Sequence, residues 1–304
     1  MRAGRDRPGD LHFLDPAVLA RVGSLELKAR TIVEGFLSGL HRSPYKGFSV
    51  EFAEYRQYLP GDDLATIDWK VFARSDRYYV KKFEEETNLE CHLLLDVSAS
   101  MGYASPGSVT KLQYASYLVA ALAFLMNRQR DSVAFMAFDD QIVSMLPPSA
   151  RPGHLRALLL TLDGVQLGQR TDCSKPLHQL AEALKKRGLV ILVSDLLDDC
   201  DRVVDGLKHF RFKGTDVVVF HVLDRHELTF PFERAARFHD LESDEEIVAV
   251  PSVVREDYLR EIRGLIERYR RELGVVGIDY CLLDTSQPLD LGLMAYLSTR
   301  GRSR

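Results

Sequence analysis

Short, unbroken apolar runs recur through the last two-thirds of the chain: LLL at 93–95, VAFMAF at 133–138, LVILV at 189–193, VVVFHVL at 217–223 and IDYCLL at 278–283. Continuous rather than alternating runs fit strands covered on both faces, as in parallel sheets. Helical periods separate them. Leu177, Leu180, Ala181 and Leu184 form one stripe, and Val254, Tyr258, Ile262, Leu265, Ile266, Tyr269 and Leu273 form a longer one. The stretch 111–128 is apolar nearly all round, which predicts a central buried helix. This βαβ series predicts an α/β fold with a doubly wound, mostly parallel sheet. VAFMAF runs through Asp139-Asp140 straight into QIVSML, so one antiparallel edge strand is expected there.

The first 88 residues follow another pattern. Asp15-Pro16 reads as a cap and helix start, and Leu25, Ala29, Ile32, Val33, Phe36, Leu37 and Leu40 mark a helical stripe. Residues 45–83 hold ten of the 28 aromatic residues, so this segment is expected to be packed, β-rich structure with Trp69 as an anchor. Pro60-Gly61-Asp62-Asp63 reads as a turn, and Arg56, Asp68 and Arg74 as partners in structural ion pairs. The domain expectation is therefore an N-terminal segment over 1–88 and an α/β domain over 89–304. The charged stretch 229–251 interrupts that domain as a small hairpin, either a solvated excursion or a binding element.

Composition narrows the classes. Charged residues make up 28% and the formal net charge is −4, so no basic field points to nucleic acid. Cys91, Cys173, Cys200 and Cys281 form no C-x-x-C pair and read as free thiols. The longest apolar run, 117–126, is about half of the ~20 residues that a membrane span needs. No secretory-type apolar stretch follows MRAGRDRPGD, so a cytoplasmic protein without a membrane segment is expected. His92 and His221 fall in apolar strand runs and read as core residues.

Chemistry concentrates at DVSASM. A strand that stops at Asp96, with Ser98 and Ser100 at alternate positions, gathers oxygen ligands at the carboxyl end of a sheet, where open α/β folds bind ligands. Asp195 ends a second strand, and Thr171 lies in a loop before a helix, which gathers at the same edge. Oxygen side chains suit a hard divalent cation, Mg2+ or Mn2+. Neutral hydroxyl ligands leave the ion's charge partly uncompensated, so an open position would favour a partner's Asp or Glu.

The set Asp96, Ser98, Ser100, Thr171 and Asp195 resembles the metal-ion-dependent adhesion site of von Willebrand factor A domains. The resemblance implies Ser98, Ser100 and Thr171 as direct ligands, and Asp96 and Asp195 as ligands either direct or through water. EFAEYRQYLPGDDLATIDWKVFAR followed by KKFEEET resembles the bacterial family called domain of unknown function 58, which places this segment before such a domain. The likeness runs from about residue 40 to the end. Ala65 stands where that family often has a basic residue, and the N-terminal membrane helices of many relatives are not expected from these residues. The resemblance implies a MoxR-type AAA+ ATPase as partner, with an adaptor role in complex assembly or metal insertion.

Two other function classes fit less well. A Mg2+-dependent phosphohydrolase could use Asp96 as nucleophile, but Ser98 stands where many such enzymes place a second Asp, and no lysine is evidently placed to steady a phosphoryl group. A structural domain with a vestigial metal site is the third class. No G-x-x-x-x-G-K-[ST], G-x-G-x-x-G or G-x-S-x-G pattern marks a nucleotide site or a serine nucleophile. The expectation is a non-enzymatic, metal-dependent protein-binding module.

Overall fold

The computed structural model describes residues 15–42, 55–57, 79–81, 90–168, 173–184, 186–241 and 245–302. They fall into two compact units. A short antiparallel hairpin, β1 (Tyr55–Gln57) with β2 (Tyr79–Lys81), belongs to the unit Arg42–Asn88. The other unit joins the N-terminal helices, through His41, to the chain from Leu89 onward. It begins with α1 (Pro16–Leu19), capped by Asp15 and opened by Pro16, and α2 (Leu25–Arg42). Ala29, Ile32, Val33 and Phe36 of α2 are buried, and Lys28 donates to the Tyr117 hydroxyl at 3.3 Å. The expectations for Trp69, for the turn at 60–63, and for the side chains of Arg56, Asp68 and Arg74 lie outside the described residues.

The larger unit is built on β3 (Glu90–Asp96), α3 (Lys111–Arg128), β4 (Ser132–Phe138), β5 (Ile142–Ser149), α4 (His154–Asp163), α5 (Ser174–Ala183), β6 (Gly188–Ser194), α6 (Cys200–Phe212), β7 (Asp216–Leu223), α7 (Arg225–Thr229), β8 (Ala236–His239), β9 (Glu246–Ala249), α8 (Pro251–Val275), β10 (Asp279–Asp284) and α9 (Asp290–Arg302). Its sheet runs in the order β10-β7-β6-β3-β4-β5, parallel except for the antiparallel edge strand β5. The runs in β3, β4, β6 and β7 are buried on both faces, β6 along its whole length, whereas the edge strand β10 is mostly half-buried. This is the α/β architecture that the unbroken runs predict. The Asp139-Asp140 turn forms as expected, with the Gln141 amide donating to Asp139 Oδ1 at 2.9 Å.

Helices cover both faces. Leu94, Met136, Val190, Leu192, Val217 and Val219 share one core with α5, α6 and the Tyr269 and Leu273 end of α8. On the other side α3 packs on β3 and β4, and its Leu118, Ala121 and Leu122 are fully buried. A capping box at Thr110 and Gln113 starts that helix. Helices α4, α6 and α9 lie outside the stripes read in the sequence; α4 is short, and the thirteen residues of α9 carry no strong apolar stripe. The 229–251 excursion contains a hairpin, β8 with β9, registered Phe238 to Ile247. Phe230, Phe232, Phe238 and Tyr258 pack ring on ring at its base.

The strand order places the site. After β3 the chain adds β4 and β5 on one side, then crosses to β6 on the other. The sheet therefore reverses its winding between β3 and β6, and the crevice beyond their carboxyl ends is the topological switch point. Asp96 and Asp195 stand at that crevice.

Candidate metal centre

Leu95 pairs with Val193 in the β3–β6 register, so the next residues, Asp96 and Ser194, leave the strands side by side. The Ser194 hydroxyl donates to Asp96 Oδ2 at 2.5 Å, and the Cys173 thiol approaches the same oxygen at 3.7 Å. Asp96 Oδ1 accepts the Ser98 amide at 2.9 Å. The carboxylate is thus fixed at both oxygens and has no solvent exposure. Burial, and then the nearby charge of Asp195, push its pKa up to about 7, against hydrogen bonds from Ser194 and Ser98 that pull it down.

In the loop after Asp96, Ser98 is fully buried and Ser100 half-buried. Val97 and Met101 are fully buried, and the backbone closes a short 3-10 turn over Ala99–Gly102. The Val97 amide donates to the Phe138 carbonyl at 2.8 Å, and the Gly168 amide donates to the Val97 carbonyl at 2.6 Å. With the apolar side chains anchored, the Ser98 and Ser100 hydroxyls come to 3.1 Å from each other. Two adjacent oxygens on an octahedral Mg2+ at about 2.1 Å would stand about 3.0 Å apart. The hydroxyl pair therefore fits two positions on one such ion.

Asp195 follows β6 and is fully buried. Its Oδ2 accepts the Lys111 ammonium at 2.7 Å, and Lys111 also donates to Glu227 Oε1 at 2.7 Å. Lys111 shows no side-chain exposure. Burial pulls its pKa down, but the charges of Asp195 and Glu227 prevail and hold it above the ordinary lysine value. Leu196, next in the chain, is buried at φ +50°, an uncommon backbone for a branched residue and one that clusters at functional sites. Tyr269 of α8 secures this turn by donating to the carbonyls of Leu196 at 3.1 Å and Asp198 at 3.3 Å.

The sequence-derived set comes together in part. Asp96, Ser98 and Ser100 form one hydrogen-bonded group, and Asp195 is close enough to raise the Asp96 pKa. Thr171 lies outside the described residues. Cys173, two residues on, reaches the site. Among the described residues, no cluster of three or more His, Cys, Asp or Glu side chains is arranged to hold a metal. The donor set here is instead two carboxylates with two hydroxyls, the hard-oxygen chemistry of Mg2+ or Mn2+.

Four residues escaped the sequence reading: Lys111, Ser194, Asp224 and Glu227. Lys111 left only a faint signal, a lysine at the head of a helix that is apolar nearly all round. Asp224 Oδ2 accepts the Ser105 amide at 3.0 Å, the Ser105 hydroxyl at 3.1 Å and the Thr285 hydroxyl at 3.2 Å. It pins the loop between the serines and α3 to the end of β7. Glu227 closes a capping box with Asp224 at the start of α7. His92 and His221 are buried in their strands, as expected.

The sequence pattern of the family described as "Protein of unknown function DUF58" matches residues 54–265. An uncharacterized protein of Mycobacterium tuberculosis H37Rv is 24% identical over 296 residues, covering 95% of this chain and 91% of the relative. An uncharacterized protein of Mycobacterium bovis matches to the same extent. Two solved structures align with 71% of this chain and all of their own length. One is the conserved hypothetical protein BatB from Bacteroides thetaiotaomicron, at 15% identity and a TM-score of 0.47. The other is an aerotolerance-related membrane protein from Bacteroides fragilis, at 16% identity and a TM-score of 0.48. Among the described residues, no helix is long and apolar enough to cross a membrane.

Proposed function

The chain belongs to the DUF58 family, and we propose that it is a non-enzymatic protein-binding module that uses a divalent cation to hold a partner's carboxylate. One observation carries this reading: the Ser98 and Ser100 hydroxyls stand 3.1 Å apart over Asp96, at the switch point of the sheet. Ser98 and Ser100 would hold Mg2+ or Mn2+ directly, with Asp96 and Asp195 balancing its charge and Thr171 as a further ligand by resemblance. The direct ligands would be neutral hydroxyls, so a position left open on the ion would favour an incoming Asp or Glu.

The surroundings of Asp96 support binding over nucleophilic catalysis. Both of its oxygens are engaged, by Ser98 and by Ser194 with Cys173, and the side chain is fully buried. Lys111 does stand at this edge, but its ammonium is held by Asp195 and Glu227 and is not aimed at a phosphoryl group. The partner favoured by the family resemblance is a MoxR-type AAA+ ATPase, with the module working as a cytoplasmic adaptor.

Affinity capture from the host tests the reading. Wild type and the Ser98→Ala/Ser100→Ala variant serve as baits, each with Mg2+ and with EDTA. An AAA+ ATPase that co-purifies only with wild type in Mg2+ is the expected result. Capture that survives both EDTA and the double substitution contradicts it.

A further inference from the structure

Lys111 is a fully buried cation held by two carboxylates. Its position follows from the fold: Thr110 caps α3, and the first residue of that helix enters the crevice beyond β6 and β7. Asp195 comes from the turn after β6, and Glu227 from the first turn of α7 after β7. Glu227 is itself held, since its second oxygen accepts the Asp224 amide at 2.7 Å. Lys111 is therefore clamped from one side by a fixed acid and clamps Asp195 on the other.

A carboxylate so held is a poor inner ligand. To enter a cation's coordination sphere, Asp195 would have to turn from a fully buried ammonium at 2.7 Å and leave that charge short of a partner. Its other oxygen faces the Leu197 amide at a long 3.4 Å. Resting on the metal-site reading above, we propose that Lys111 is a positioning residue. It keeps Asp195 out of direct coordination, so that the cation's open position is left for a partner's carboxylate. The module then binds the free ion weakly and the ion with a carboxylate well. A resident anion that filled the position would make the site tight and unreceptive.

The charge count permits a clean test. One ammonium against two carboxylates leaves the triad at −1. In Lys111→Met/Glu227→Gln, Asp195 alone gives the same −1, and the glutamine carbonyl can still accept the Asp224 amide. Only the freedom of Asp195 differs.

Mn2+ binding is measured by calorimetry on the full chain, with and without acetate as the carboxylate probe. Wild type is expected to bind Mn2+ weakly and to bind it tighter when acetate is present. The double variant is expected to bind Mn2+ about tenfold tighter or more, with the acetate effect lost. Loss of a supporting residue ordinarily weakens a metal site about 10–100-fold, so a merely structural Lys111 predicts the opposite sign. Weaker binding by the folded double variant, or an acetate effect that persists in it, overturns the proposal.

Asp195→Asn supplies a second measurement that does not depend on that variant folding. An Asp195 outside the coordination sphere predicts a retained Mn2+ site, weakened by no more than about 10–100-fold and still responsive to acetate. Abolished binding in Asp195→Asn identifies a direct ligand and also overturns the proposal. Wild type that binds no Mn2+ under either condition would instead remove the metal-site reading beneath it.

Discussion

The Ser194 hydroxyl donates to Asp96 Oδ2 across the β3–β6 crevice at 2.5 Å, joining the two strand ends that carry the site's carboxylates. This bond favours the charged form of Asp96 against its burial. Ser194→Ala should raise the Asp96 pKa further and cost about 1–3 kcal/mol of stability, since a buried acceptor loses a donor. Mn2+ affinity at pH 7 should fall and recover at higher pH. Calorimetry at two pH values checks this, and an affinity loss independent of pH would count against the account.

Asp96 itself should trade stability for function. A carboxyl whose folded pKa stands near 7, above its ordinary 3.8, stabilises the fold fully below the lower value. That contribution is lost as pH rises through the higher one. In metal-free buffer at pH 8, Asp96→Asn should therefore be more stable than wild type, by about 1–4 kcal/mol. Urea unfolding measures the difference. A variant less stable than wild type would mean that the buried charge is better compensated than its surroundings indicate.

His221 acts with the opposite sign. It is fully buried beside the Tyr280 hydroxyl at 2.7 Å, and burial lowers its pKa to about 4. The fold holds it neutral, so its contribution is present above the ordinary value of 6.5 and is lost as pH falls towards 4. The full effect is about 3 kcal/mol. Between these values the falling contribution of Asp96 masks the rise. Asp96→Asn should therefore show a steeper gain in unfolding free energy from pH 4.5 to 6.5 than wild type does. Parallel curves would contradict the pair of assignments.

Gly188 opens β6 directly opposite Glu90. A Cβ there would meet the Glu90 carbonyl oxygen at 2.1 Å, a backbone atom that cannot swing away. Gly188→Ala should displace the start of the β3–β6 pairing and cost about 3 kcal/mol or more. Thermal unfolding reads this out, and an unchanged midpoint would show that the strand shifts freely.

The fold was largely legible because β3, β4, β6 and β7 are covered on both faces, so their apolar runs are unbroken and hard to read otherwise. The antiparallel β5 was legible from the Asp139-Asp140 turn. Asp96, Ser98 and Ser100 were legible because they lie within five residues of one strand end. Ser194 and Lys111 were not. Their roles depend on which strands become neighbours, and Ser194 meets Asp96 from 98 positions away while Lys111 meets Asp195 from 84. Local pattern carries no register between β3 and β6, so a buried lysine shows only as an oddity at the head of an apolar helix.

The central claim is that Ser98 and Ser100 hold a divalent cation, and calorimetric titration with Mn2+ in the presence of acetate addresses it most directly. Wild type is predicted to bind one ion per chain. Ser98→Ala/Ser100→Ala, folded by circular dichroism, is predicted to bind none. Equal binding by the two proteins would contradict the account.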